Sequence, residues 1–157
     1  MTTDRPAHLR PALVVLAFVG GAAGTAVRES LALLFPSPTG SFPATIFVIN
    51  VVGSFALGFL LETLALAGPE TGRRRSVRIL LGTGVLGGFT TYSAYSVASA
   101  VLVAAHPGVA VVYALVSLVV GVAVAGAGVA LAARAGPGRG MRGAGHAVGP
   151  GDTGSDS

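Results

Sequence analysis

The 157-residue chain is 52% apolar and only 10% charged, with a mean hydropathy of +0.78. A soluble domain carries about a quarter charged residues to solvate its surface, so this composition excludes a water-soluble globule and makes lipid the solvent for most of the surface. The lack of cysteine excludes a disulfide framework, thiolate zinc sites and a thiol nucleophile, and all ten basic residues are arginines, all but Arg28 in or beside terminal and short connecting segments, which fits a membrane protein better than a nucleic-acid binder.

Residues 1–10 read as a cytoplasmic N-terminal segment. The first apolar run, 11–34, exceeds the roughly 20 residues that cross a hydrocarbon core. An Arg-rich start followed by an apolar run and small residues also resembles a cleavable signal. The run leads into further spans, so an uncleaved first helix is preferred. Gly20 and Gly24 form a small-xxx-small pair, which permits close helix packing in lipid. Arg28, next to Glu29, is an ionisable residue inside a span. It marks either function or a guanidinium that snorkels outward.

Pro36, Ser37, Pro38, Thr39 and Gly40 separate this run from the second, 44–67. Asn50 lies early in that run. Its amide either bonds a neighbouring helix or donates N–H groups to an anion.

Gly68, Pro69 and Gly72 precede the third run, 77–104, where Gly82, Gly84, Gly87 and Gly88 lead into Thr90, Thr91, Tyr92, Ser93, Tyr95 and Ser96. Such a cluster in mid-span is poor helix material and reads as a discontinuous helix or a glycine kink. Non-helical backbone at that depth survives only when buried in protein or lining a cavity, and it exposes groups that hold ions. Tyr92 and Tyr95 share a face once the helix resumes.

His106, Pro107 and Gly108 turn the chain into the fourth run, 109–133, in which Tyr113 and Ser117 share a face. Beyond Arg134, residues 135–157 are Gly-rich and polar and read as a disordered tail. The domain organisation is thus one four-helix membrane domain over 11–134 between two cytoplasmic segments.

Four spans place both termini on one side. Nine arginines (5, 10, 73, 74, 75, 78, 134, 139 and 142) fall on that side, and the opposite loops carry none. The positive-inside rule puts that side in the cytoplasm, in a multi-pass protein of the cell membrane. Catalysis fares badly: His8, His106 and His146 lie in loops or termini, the acids are scattered, and no phosphate loop is followed by Lys.

Together, GGAAGTAVRES in the first span, FPATIFVINVVGSFALGF in the second, GTGVLGGFTTYSAYS in the third and Tyr113-x-x-x-Ser117 in the fourth resemble the Fluc/CrcB family of small fluoride channels. The resemblance covers about residues 13–131. It implies an all-α fold of four transmembrane helices with a broken third helix, assembled as an antiparallel, dual-topology dimer with two fluoride pores and a central structural sodium ion. It implies passive export of cytoplasmic fluoride. By the same analogy Asn50 donates to the anion, the Tyr92 and Tyr95 ring edges face it, Thr91 and Ser93 flank it, and Tyr113 and Ser117 line a polar track. Arg28 attracts anions at a vestibule, and the Gly87 and Thr90 carbonyls bind sodium.

Two features depart from the family pattern. Tyr92 and Tyr95 stand where the family has phenylalanines, and Ala94 lies between them in place of threonine. The arginine bias favours one fixed orientation, so of the two expected assemblies, a homodimer and a heterodimer with an oppositely oriented paralogue, the heterodimer is preferred. Two rivals remain. A small multidrug-type transporter would need a carboxylate deep in the first helix, where this chain has none before Glu29. A non-conducting membrane assembly subunit would need no broken span.

Overall fold

The computed structural model describes residues 10–38 and 40–136, and every regular element among them is helical. Helix α1 (Pro11–Leu34) starts with proline at its first position, where a missing N–H breaks no bond. Helix α2 spans Ala44–Leu66, and Gly68 at φ +107° turns the chain after it. The third apolar run is built in pieces: α3 (Gly72–Val77), a π-helical segment (Arg78–Leu86), α4 (Gly87–Phe89) and α5 (Tyr92–Ala105). Helix α6 (Pro107–Ala135) again starts on proline.

Three of these helices, α1, α2 and α6, are continuous, long and apolar enough to cross a membrane. The path of the third run follows from its neighbours. Gly20 lies against Leu80 and Gly84, and Gly24 against Val85 and Phe89, so α1 and the third run point the same way. Gly121 lies against Ser54, Gly58 against Ala125 and Gly136 against Leu66, so α2 and α6 also run parallel. Asn50 meets Thr91 while Leu57 meets Gly82, which sets the two pairs antiparallel. Residues 72–105 therefore carry the chain back from the Leu66 end of the bundle to the Pro107 end.

Glycine makes both seams possible. A Cβ on Gly24 would run into the backbone of Val85 and Phe89, and one on Gly58 into the backbone of Ala125. Backbone cannot yield as a side chain can, so these approaches require glycine, as expected where helices associate by close packing. Hydroxyls within the helices bond back to carbonyls four residues earlier: Ser30 to Ala26, Thr63 to Phe59 and Ser99 to Tyr95. That lets polar residues sit in an apolar stretch.

The buried apolar set is small: Leu13, Ile49, Leu102, Ala110, Tyr113 and Ala132. Large apolar side chains face outward along α1 and α6, among them Phe18, Leu33, Leu118 and Val122. In water such a surface would aggregate; in lipid it is the expected outer face. Arg10, Arg73, Arg74, Arg75, Arg78 and Arg134 all lie at the end of the bundle where α1 begins and α2 and α6 finish. The remaining expectations about the N-terminal segment and the Gly-rich tail, with Arg5, Arg139 and Arg142, lie outside the described residues.

Candidate functional site

The third run breaks at Thr90 and Thr91, both in extended conformation (φ −74°, ψ 152° and φ −145°, ψ 124°). Asn50 from α2 holds the break open. Its Nδ2 donates to the Thr91 carbonyl at 3.1 Å, and its Oδ1 accepts from the Thr91 N–H at 2.9 Å. One amide thus replaces both backbone partners that helix would have given Thr91. A carboxamide carries a second N–H beyond the one used here. Thr91 then caps α5: its Oγ1 accepts from the Ala94 N–H at 3.1 Å and lies 3.1 Å from the Ser93 hydroxyl.

These bonds release two carbonyls. In an unbroken helix Gly87 O would accept from the Thr91 N–H, and Thr90 O from the Ala94 N–H. Those donors turn instead to Asn50 Oδ1 and Thr91 Oγ1. The Gly87 and Thr90 carbonyls are the two assigned to sodium on resemblance. Carbonyls freed from helix bonding suit a hard cation, which takes oxygen ligands. On the other flank, Thr25 Oγ1 of α1 donates to Gly88 O at 3.3 Å and ties the break to the first helix.

Beyond the break, five rings form a chain. Tyr92 and Tyr95 have centroids 5.9 Å apart, Tyr95 and Tyr113 5.3 Å, Tyr113 and Phe42 5.3 Å at a right angle, and Phe42 and Phe47 5.5 Å. Tyr113 at the centre is fully buried, while Tyr92 at the end is 82% exposed. Tyr95 donates to the Ala114 carbonyl at 3.4 Å, so its hydroxyl is directed at α6. Ring edges carry positive potential, so such a chain can face an anion without a formal charge. Phe42 and Phe47 were not among the residues singled out from sequence. Their signal was weak, since they flank Pro43 where a loop passes into a span.

Two hydroxyls stand out. Tyr113 Oη and Ser117 Oγ are buried and turned toward each other, and among the described residues neither makes a hydrogen bond of full geometry. Buried polar atoms are seldom left so, because desolvation is uncompensated. They lie one turn apart on the α6 face that meets Tyr95. Arg28 lies about one turn beyond Thr25 on α1. Its side chain is largely covered, it pairs with Glu29 at 3.1 Å, and its Nε is buried without a partner. A guanidinium so covered is not simply snorkelling in the isolated chain. The structure thus gathers Asn50, Thr91, Ser93, Tyr92, Tyr95, Tyr113 and Ser117 around the break, with Arg28 standing apart from the ring chain on α1.

Comparison with known proteins decides the family. The model for CrcB-like protein, Camphor Resistance (CrcB), matches residues 15–129. The chain belongs to the CrcB family. Among its CrcB relatives, a protein of Leifsonia xyli subsp. xyli named fluoride-specific ion channel FluC 2 is 49% identical over 87% of this chain and 94% of its own length. The fluoride-specific ion channel FluC 1 of Cutibacterium acnes is 52% identical over 56% of this chain and 62% of its own. The fluoride-specific ion channel FluC of Deinococcus radiodurans is 43% identical over 74% and 91%. The CrcB match spans all of α2, the broken run and most of α1 and α6, so it includes every site residue above.

Proposed function

We propose that this chain is a subunit of a fluoride-selective channel that lets cytoplasmic fluoride leave passively, and not an enzyme. The observation that carries the reading is the Asn50–Thr91 clasp beside the ring chain, at a depth where irregular backbone is tolerated only around a cavity. Fluoride is small and strongly hydrated. A pore must replace its water with several weak donors and still let it go. The free N–H of Asn50, the edges of Tyr92 and Tyr95, and the Tyr113 and Ser117 hydroxyls supply donors without a full charge, and Thr91 and Ser93 add hydroxyls beside them. Arg28, outside the narrow part, raises the local anion concentration.

The active form on this reading is an antiparallel dimer of four-span subunits, with the third run as the fourth crossing. The exposed end of the ring chain, Tyr92, supports a second subunit on that face. The freed Gly87 and Thr90 carbonyls would hold a structural sodium ion, which supplies positive charge that pins the two breaks together. The arginines at one end of the bundle support a cytoplasmic location for that end, and with it for both termini of a multi-pass protein of the cell membrane. They also favour a partner of opposite orientation over a second copy, and the numbered names of two relatives, FluC 1 and FluC 2, fit chains that come in sets.

The test is fluoride efflux from liposomes loaded with the purified chain, alone and with a paralogue of opposite charge bias. Efflux selective for fluoride over chloride, larger with the partner, is expected. No fluoride efflux in either arm sinks the channel reading; full efflux from the chain alone sinks the heteromer.

A further inference from the structure

A groove of about 630 Å³ opens between α2 and the π-helical segment, away from the ring chain. Leu57, Leu61 and Ile79 line its apolar part, and Glu70, Arg75 and Arg78 stand at its mouth. There is room at Gly82, which also lines it: a Cβ there would make only ordinary contacts, at 3.8 Å, to Leu57 and Leu60. The mouth is at the arginine-rich end of the bundle. From Leu66, the last residue of α2, to Leu57 the helix descends about 13 Å at 1.5 Å per residue. The groove therefore runs from headgroup level into the hydrocarbon layer.

Its chemistry is that of a phospholipid in profile, charged above and apolar below. Arg73, Arg74, Arg75 and Arg78 set four positive charges against Glu70. Arg78 already makes two short contacts to Glu70, at 2.5 and 2.6 Å, which orient its guanidinium over the mouth. A guanidinium presents five donors, so Arg78 can keep Glu70 and still grip a phosphate. Basic pockets between membrane helices on the cytoplasmic side are suited to anionic headgroups.

We infer that this groove binds one anionic phospholipid, its phosphate on Arg75 and Arg78 and an acyl chain against Leu57, Leu61 and Ile79. The inference rests on the membrane reading above and is independent of fluoride conduction.

Native mass spectrometry of the full chain released from mixed phosphatidylglycerol and phosphatidylcholine vesicles tests it. The wild type is expected to retain phosphatidylglycerol in preference to phosphatidylcholine. The double variant R75Q/R78Q is expected to lower that retention by at least about tenfold, the least that losing one charge-assisted contact implies. E70Q, which removes the competing carboxylate, is expected to raise it. L57W/L61W keeps every arginine but fills the apolar slot, and is expected to lose the lipid as well. Arg134 lies at the same end but outside the groove, so R134Q is expected to change nothing.

Equal loss with R134Q would mean diffuse surface attraction and overturn the site. So would displacement of the lipid by inorganic phosphate, which has no acyl chain to hold. If R75Q/R78Q or L57W/L61W splits a dimer and leaves lipid retention intact, the groove is covered by a second subunit and the proposal fails. Because lipid retention is read without any flux, a chain that conducts no fluoride still answers the question.

Discussion

Asn50 satisfies both backbone groups of Thr91, donating to its carbonyl at 3.1 Å and accepting from its N–H at 2.9 Å. A single side chain on one helix thereby fixes where another helix breaks. Asn50→Ala strands both groups. Each unsatisfied buried group costs about 1–3 kcal/mol, so the variant should melt well below the wild type and conduct no fluoride. Asn50→Asp keeps an acceptor for the N–H but sets a carboxylate oxygen against the Thr91 carbonyl within the bilayer, and should melt no higher than Asn50→Ala. A thermal melt in detergent, paired with liposome efflux, measures both.

The Tyr113 and Ser117 hydroxyls offer a cleaner separation of stability from function. Neither makes a hydrogen bond of full geometry and each has only the other close by, so Tyr113→Phe and Ser117→Ala should change the melting temperature little, and the double variant, which removes both desolvated groups, should leave it unchanged or slightly raised. If these hydroxyls serve the anion, efflux should fall in the same two variants. Unchanged efflux in both would remove the polar track from the pathway. Tyr113→Ala is a different experiment: it empties the centre of the ring chain and should cost about 3–5 kcal/mol.

Gly24→Val and Gly58→Val should each disrupt a helix seam. The added Cβ meets backbone of Val85 in the first case and of Ala125 in the second, which cannot rotate away. Overpacking of this kind typically costs about 1–3 kcal/mol. Gly126→Ala, where a Cβ meets nothing within 4 Å, should be silent in the same melt.

Removal of sodium tests the freed carbonyls. Replacing sodium with a bulky organic cation should lower the melting temperature of the assembled channel, and adding sodium back should restore it. A melt indifferent to the cation would leave the Gly87 and Thr90 carbonyls without that role. Thr91→Ala should add to the loss, since removing a helix cap costs about 1 kcal/mol.

Apolar run length and arginine placement made the helical, membrane-spanning character legible, because bilayer thickness and charge bias act on composition. The break was legible as a glycine and hydroxyl cluster, but its location at Thr90 and Thr91 depends on Asn50, 41 residues away. No local pattern announces such a partner: the amide of Asn50 suits a neighbouring helix or an anion equally well. Phe42 and Phe47 were missed because ring contacts depend on how α2 and α6 pack, not on spacing along one helix. The π-helical stretch was also invisible, since its bond register shifts without changing residue type.

That stretch alters how the seam with α1 is counted. Gly20 touches Leu80 and Gly84, while Gly24, four residues on, touches Val85 and Phe89, five residues on. The wider i→i+5 turns therefore act as a vernier: four steps on one helix keep pace with five on its neighbour. Deleting one residue from 78–86 would tighten a turn and put every later contact out of step, so the break would no longer meet Asn50. The length of this segment, more than any single side chain in it, sets the alignment of the site.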